Sequence, residues 1–320
     1  MRSNLFFKIS GYLLGLIMTY VLVVFGLTVL SVNGRPLSWY VLENKYESGT
    51  DSGQSLLKFR DIEQYRGVDI LIMGSSHAYR SFDPRIFRSY GLGIFNLGTT
   101  AQAPANSFFL LKAYYPKLRP KRIIFETYFA VFENEEGLES FYSIVRNAPL
   151  LKEIVFMACA IRSPQAINSL LSEWFTRFWR PLSLRSQRPI RDESYVSGGY
   201  VDSRRINEPG KEIEKTKIKW GSRQLDFLKR IVDFSKKHNA ELLFVLAPLP
   251  ERKIVSIQNY NEIISRFREA SRRYGVPFYT FETLGLDQER DFKDDDHLNY
   301  FGAQNFNLEI LKILKVKTPG

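Results

Sequence analysis

Cysteine is almost absent: Cys159 is the only one in 320 residues. That excludes an intrachain disulfide and any zinc site built on cysteine thiolates. Histidine is scarce too, with only His77, His238 and His297, so few side chains can take up a proton near neutral pH. There is no internal repeat and no glycine-rich phosphate loop; Gly91-Leu-Gly93 is too short for a dinucleotide fingerprint. No cofactor is expected. A second long apolar run is missing, because Arg162 interrupts the most apolar stretch of the later chain. Acidic charge is the minority sign: 45 Lys and Arg stand against 34 Asp and Glu, a formal net charge of +11. That balance favours anionic partners such as nucleic acid, acidic lipid head groups or acidic polysaccharide.

What is present begins with one long apolar segment. Ile9 to Gly34 carries no charge and is mostly Leu, Val, Ile, Phe and Gly. It exceeds the roughly 20 residues that span a bilayer. It also exceeds the apolar core of a cleaved signal, about 7–15 residues, and no small-x-small cleavage site follows. Arg2 and Lys8 precede it with no acidic residue between them. The positive-inside rule then places residues 1–8 in the cytoplasm, a transmembrane helix over 9–34, and everything after Arg35 on the periplasmic or extracellular side of the cytoplasmic membrane. Trp39 and Tyr40 follow at the level that suits aromatic rings. A buried core helix and a cleaved signal are the competing readings. The outside location removes nucleic acid as a partner and keeps the lipid bilayer. Residues 35–66 read as a juxtamembrane linker, with Glu47–Ser55 a polar Gly/Ser spacer. Residues 67–320 read as one domain, and 44% hydrophobic residues suffice for its core.

The domain is organised around Val68-Asp-Ile-Leu-Ile-Met-Gly-Ser-Ser-His77. Its continuous apolar run suits a parallel strand covered on both faces, and Gly74 allows a sharp turn. His77–Phe82 reads as a loop, and Asp83-Pro84 as a helix start. Further strands are expected at Gly93–Asn96, Arg122–Phe125, Glu241–Pro248 and Val276–Thr280. Helical periods fill the gaps, at Pro104–Tyr115, Gln224–His238, Tyr260–Arg273 and Phe301–Leu314. This alternation predicts an α/β fold, a flavodoxin-like doubly wound parallel sheet of about five strands. Residues 130–220 interrupt it with a helical, basic, Trp-rich insertion carrying Trp174, Trp179, Trp220 and several arginines, among them Arg177, Arg180, Arg185 and Arg188. Such an insertion suits anionic lipid, a sugar-binding cleft, or a plain cap with solvated arginines.

Two serines follow the first strand at its carboxyl end, where open α/β sheets present ligands. A serine hydroxyl is a weak nucleophile until a base takes its proton. His297 is that base in the stretch Asp294-Asp-Asp-His-Leu-Asn-Tyr-Phe-Gly302, since Asp294, three residues earlier, can lie on the same side of a turn and hold the imidazole tautomer. Ser76 as a backbone-bonding serine, Ser75 as the nucleophile, and a divalent cation held by Asp291, Asp294, Asp295, Asp296 and His297 are the alternatives. The Asp/His spacing needs no metal. His77, adjacent to the serine, suits substrate binding better than proton transfer, and His238 reads as a surface residue at a helix end.

These motifs resemble the SGNH (GDSL-like) hydrolases. Gly74-Ser75-Ser76 is similar to their first block, with Ser in the place of Asp. Asn96-Leu97-Gly98 is similar to the second, and Asp294-x-x-His297-Leu-Asn299-x-x-Gly302 to the last and most specific. The resemblance spans about residues 66–314, with no recognisable pattern in the middle. It implies Ser76 as nucleophile, His297 as base and Asp294 as its orienting group, with Gly98, Ala101, His77 and Asn299 around the oxyanion and substrate. Two departures stand out. Thr100 or Ala101 falls where the second block has a glycine, and no Asn follows the third strand in Ile123-Ile-Phe-Glu-Thr-Tyr-Phe129, so one oxyanion donor is unaccounted for. The pattern looks closer to the membrane-tethered branch that includes proteins of D-alanyl transfer and alginate O-acetylation. It implies an esterase or O-acyltransferase acting on an acylated cell-envelope polysaccharide or another ester, with a membrane acyl-donor protein as a further partner. The alternative is a non-catalytic binding or scaffold module of a cell-envelope assembly.

Overall fold

The computed structural model describes residues 2–33, 35–42, 54–133, 136–186, 189–208, 213–282 and 284–316. Gly34 and residues 43–53, which include most of the expected spacer, lie outside the described residues, as does Arg188. Helix α1 (Arg2–Val29) is followed by a small hairpin of β1 (Ser31–Val32) and β2 (Arg35–Pro36) and by α2 (Leu37–Val41). Within α1, Leu5–Val29 is long and apolar enough to cross a membrane, with a mean hydropathy of 2.2. Helix α3 (Ser55–Asp61) lies inside the stretch expected as linker, yet it packs into the core through Leu56, Phe59 and the following Ile62.

The α/β alternation then runs β3 (Ile70–Met73), α4 (Ser76–Ser81), α5 (Pro84–Ser89), β4 (Ile94–Asn96), α6 (Pro104–Leu118) and β5 (Arg122–Glu126). The insertion supplies α7 (Leu138–Asn147), α8 (Lys152–Ile161), α9 (Pro164–Trp179) and an antiparallel hairpin of β6 (Glu193–Val196) and β7 (Tyr200–Ser203). The alternation resumes with α10 (Ser222–Lys237), β8 (Glu241–Leu246), α11 (Glu251–Ser256), α12 (Tyr260–Tyr274), β9 (Phe278–Thr280) and α13 (Tyr300–Ile313). The five strands lie in the order β4-β3-β5-β8-β9, every neighbour parallel. Counted along the chain, that is the doubly wound order 2-1-3-4-5, whose switch point falls beside the first strand. β3 is central, with all four residues buried. One face of the sheet is covered by α6, α10 and α12 through Leu71, Met73, Phe125 and Phe244, with α8 packed on the outside of α6. The other packs on α5 and α13 through Ile70, Ile72, Phe87, Phe306 and Ile310.

The stretch His77–Phe82, expected as a loop, is mostly helix α4. The cause is local: the Ser75 side chain accepts the His77 N–H and caps the helix. The three tryptophans of the insertion divide. Trp220 stacks on Phe132 with ring centroids 5.1 Å apart and belongs to the core, while Trp174 and Trp179 are exposed on α9.

Candidate active site

Two glycines allow the turn after β3. Gly74 has φ +142°, and a Cβ there would stand 2.8 Å from the Glu126 Cβ and 2.9 Å from its carbonyl oxygen. Only glycine meets both demands. Gly98 approaches the same turn from β4, and a Cβ on it would lie 3.0 Å from the carbonyl oxygens of Gly74 and Ser75. The chain therefore leaves the sheet in one narrow path, and Ser76 becomes the first residue of α4, partly open to solvent.

The partner loop is built by one carboxylate. Phe292 and Leu298 form an antiparallel bridge, and the Lys293 N–H donates to the His297 carbonyl at 2.9 Å. Inside that hairpin the Asp294 Oδ1 accepts the N–H of Asp296 at 3.0 Å and of His297 at 2.8 Å. This is the turn chemistry expected of Asp. The same Oδ1 lies 3.0 Å from His297 Nδ1, with Oδ2 at 3.2 Å. The opposite ring nitrogen, Nε2, lies 2.8 Å from the Ser76 Oγ. The packing of α13 on α4 and α5 brings the two ends of the chain together. Ser76, His297 and Asp294 thus form one hydrogen-bonded line, in which the hydroxyl can pass its proton to a ring whose other nitrogen is held by a carboxylate.

The charges around this line were not anticipated. Glu126, at the end of β5, is buried, and its Oε2 accepts from the Ser75 Oγ at 3.3 Å. Burial pushes its carboxyl up from the ordinary 4.5 to about 7, against the pull of His77. The His77 ring is buried too, stacked on Tyr128 at 3.7 Å between centroids, with Nε2 3.0 Å from the Asp296 carbonyl and 3.6 Å from its Oδ1. Tyr128 donates its hydroxyl to Asp296 at 2.9 Å, and Lys253 stands 3.6 Å from the same carboxylate. Burial disfavours charge on His77, but Asp296, Glu126 and Asp294 outweigh it and raise its proton affinity. His297, with its ring centroid 4.7 Å away, goes the other way: burial, and then the repulsion of a charged His77, lower it below the usual histidine range. Burial acts against the Asp294 carboxylate, yet His297 and Lys293 hold it well below the ordinary range. The arrangement favours the proton on His77 over His297, and neutral imidazole is the form that accepts a proton.

Glu126 yields a pH prediction. A carboxyl raised on folding binds its proton more tightly in the folded state, so its stabilising effect is complete below about pH 4.5 and is lost as the pH rises towards about 7. Gln mimics the protonated form. Glu126→Gln is therefore expected to match the wild type in acid and to gain on it by about 3 kcal/mol above pH 7. Denaturant unfolding across pH reads this, and a gap that does not change with pH would refute it. A sequence signal existed: Glu126 ends an otherwise apolar strand, where a charge is costly unless it serves something.

The remaining predicted residues separate. Gly98 is no free donor, because its N–H is held by the Asn96 Oδ1 at 3.1 Å. Among the described residues, the N–H groups of Ser76 and Ala101 have no acceptor. Asn299, expected near substrate, is a structural residue. It caps α13, accepting from the N–H of Phe301 and Gly302, and its amide donates to the carbonyls of Arg205, Arg290 and Phe292. Every polar atom of the side chain is committed, because the last loop must be tied to α13. Asn299→Ala is expected to cost about 2–4 kcal/mol through the lost cap and unpaired carbonyls, read as a fall in thermal midpoint; an unchanged midpoint would contradict that role. His238 is the C-cap of α10 and packs on Tyr115 and Phe234. Of the carboxylates weighed as cation ligands, Asp291 faces Arg290 and the Asp287 N–H. His77, Asp296 and His297 do offer ligand atoms within 4.8 Å of one another, but His297 Nε2 is engaged by Ser76 and His77 Nε2 by the Asp296 carbonyl.

No family model matches the chain, and no curated protein does. Among solved structures, a candidate acylhydrolase from Bacteroides fragilis is similar with a TM-score of 0.42 at 12% identity, over 83% of this chain and 98% of that one. A GDSL-like lipase from Bacteroides thetaiotaomicron gives a TM-score of 0.42 at 9% identity, over 82% and 98%.

Proposed function

We propose that this chain is a serine esterase or O-acyltransferase of SGNH type, anchored by α1, that acts on an acylated cell-envelope polysaccharide on the outer side of the membrane. The observation that carries the reading is the continuous contact from the Ser76 Oγ through His297 to Asp294, 2.8 Å and 3.0 Å. In the reaction the Ser76 Oγ attacks the ester carbonyl carbon while its proton moves to His297 Nε2. The tetrahedral oxyanion takes hydrogen bonds from the unengaged N–H groups of Ser76 and Ala101. Collapse breaks the ester C–O bond, and His297 returns the proton to the departing alcohol, leaving an acyl-serine. Water or a sugar hydroxyl then loses its proton to His297 and attacks the acyl carbon; as the bond from that carbon to the Ser76 Oγ breaks, His297 returns the proton to Ser76. Water gives hydrolysis and a sugar hydroxyl gives acyl transfer. Asp294 orients the ring and stabilises the imidazolium that forms. The single long apolar helix supports the anchor, the basic residues before it support an outward-facing domain, and the net charge of +11 supports an acidic polymer. A membrane acyl-donor protein is a partner only if transfer is the outcome.

A second reading is favoured by one contact. The Gly98 N–H is spent on Asn96, and β5 ends in Glu126-Thr127-Tyr128 with no Asn to replace it. A domain with a weakened oxyanion site would serve as a glycan-binding or scaffold module. Treating the full chain in detergent with a fluorophosphonate probe separates the two. Labelling that is lost in Ser76→Ala and His297→Ala is expected; a folded wild type that takes up no label would leave the binding module standing.

A further inference from the structure

Helices α8 and α9 and the turn after them carry six exposed large apolar side chains. On α8 they are Val155 and Phe156; on α9 they are Trp174, Phe178 and Trp179; Leu184 follows in the next turn. Phe178 is 70% exposed and Leu184 79%. Trp174 and Phe178 lie one turn apart with ring centroids 5.1 Å from each other, and an exposed apolar face of this kind marks a docking surface. Its position relative to α1 is set by packing. The Phe25 ring lies 5.0 Å from Phe175 and 6.3 Å from Trp179, and Thr28 bonds Ser172 at 3.2 Å. Tyr20 bonds Asn168, and Ser38 meets Ser172 at 2.6 Å.

The cover on α1 begins at a telling height. Val24 and Thr28 are buried and Tyr20 bonds Asn168, whereas the large apolar side chains from Leu5 to Met18 are exposed. Counted from Ile9, the first residue after Lys8, the 20 residues to Thr28 are about 30 Å long at 1.5 Å per residue, matching the roughly 30 Å of a hydrocarbon core. If α1 spans the bilayer, α9 therefore lies where the acyl chains end and the head groups begin. The charges suit that level. The exposed charged residues of α8, α9 and their flanks are Lys152, Arg162 and Arg180, all basic. Glu173 is buried and bridged to Arg177 and Arg185, each at 2.8 Å, and Glu153 is largely covered. Basic stems can extend to anionic head groups while aromatic rings enter the acyl boundary.

We propose that α8, α9 and the turn through Leu184 rest in the outer leaflet of the membrane that α1 spans, with Trp174, Phe178 and Leu184 inserted below the head groups. The partner is the anionic lipid surface itself. The proposal rests on the anchoring reading of α1. A domain seated on two elements, rather than tethered by one, holds the Ser76 site at a fixed height and tilt above the bilayer.

The test uses the full chain in vesicles of phosphatidylcholine and phosphatidylglycerol. A polarity-sensitive fluorophore is placed on Phe178→Cys, Leu14→Cys or Val255→Cys, each in a Cys159→Ser background. Val255 is 68% exposed on α11 and serves as the aqueous reference. At position 178 the expected result is a blue-shifted emission, quenching by a nitroxide on the lipid chain comparable to that at position 14, and protection from aqueous iodide. Position 255 should show the reverse. Iodide quenching at 178 equal to that at 255, with 14 still quenched from the lipid, would overturn the seating and leave the anchor intact. Loss of lipid quenching at 14 would remove the anchor and the proposal together. Protection of 178 from both quenchers would mean a protein–protein contact and would also overturn it.

Discussion

Replacing Ser76 by Ala is expected to lower hydrolysis of an activated ester by about 10⁴- to 10⁶-fold, with His297→Ala falling as far and the double variant no further. The reason is that the two groups act as one unit. The Ser76 Oγ is nucleophilic only while His297 Nε2, 2.8 Å away, can take its proton. Asp294→Asn is expected to lose about 10⁴-fold, because an amide facing Nδ1 favours the wrong tautomer and cannot stabilise the imidazolium. The pH profile carries a second signature. His297 must be neutral to act, and burial together with His77 lowers its proton affinity. Activity should therefore rise with pH through a midpoint below the ordinary histidine value and then level off. Ester turnover by the purified variants reads all of this. A Ser76→Ala protein with a tenth or more of the wild-type rate, above roughly the level of contaminating hydrolysis, would sink the nucleophile assignment.

Gly74→Ala is expected to be strongly destabilising. The position has φ +142°, and the new Cβ would meet the Glu126 Cβ at 2.8 Å and its carbonyl oxygen at 2.9 Å. The strain costs about 1–3 kcal/mol, and the overlap with a central strand about as much again. A loss of about 3–5 kcal/mol is a large part of a stability of about 5–15 kcal/mol. Gly285→Ala is the control: φ is +68° with nothing within 4 Å of the added methyl, so only the backbone preference is lost, about 1 kcal/mol. Thermal unfolding of both variants decides the matter. Equal losses would show that the contact with β5 does not govern the turn. Because Ser75 and Ser76 follow directly, a displaced Gly74 should also reduce fluorophosphonate labelling in the fraction that remains folded.

Much of the domain could be read from local pattern. Short apolar runs separated by helical periods specify alternating strands and helices, because a strand buried on both faces and an amphipathic helix have different periods. Asp294 and His297 were legible as a pair because three residues of spacing in a turn leave one geometry for carboxylate and ring. Neighbouring assignments differed from the structure where side-chain contacts outside the motif, near or far along the chain, decided the geometry. Nothing near Asn299 announces that its amide ties three carbonyls together, since one of them, on Arg205, belongs to the insertion. Gly98 looked like a donor in its own motif, but the Asn96 side chain two residues earlier claims its N–H. His77–Phe82 looked like a loop because a helix of six residues is too short to show a period.

The sequence by itself determined the α/β class, the five strands, the single long apolar helix and the pairing of His297 with Asp294, because each depends on periodicity, composition or spacing within a few residues. Only the tertiary structure decided the strand order, the contact of His297 with Ser76, the cluster of Glu126, His77, Tyr128 and Asp296 that divides proton affinity between two histidines, and the seating of α9 against α1. Each of these joins residues separated by tens to hundreds of positions, and such contacts are selected by the packing of the whole core rather than by any one stretch of chain.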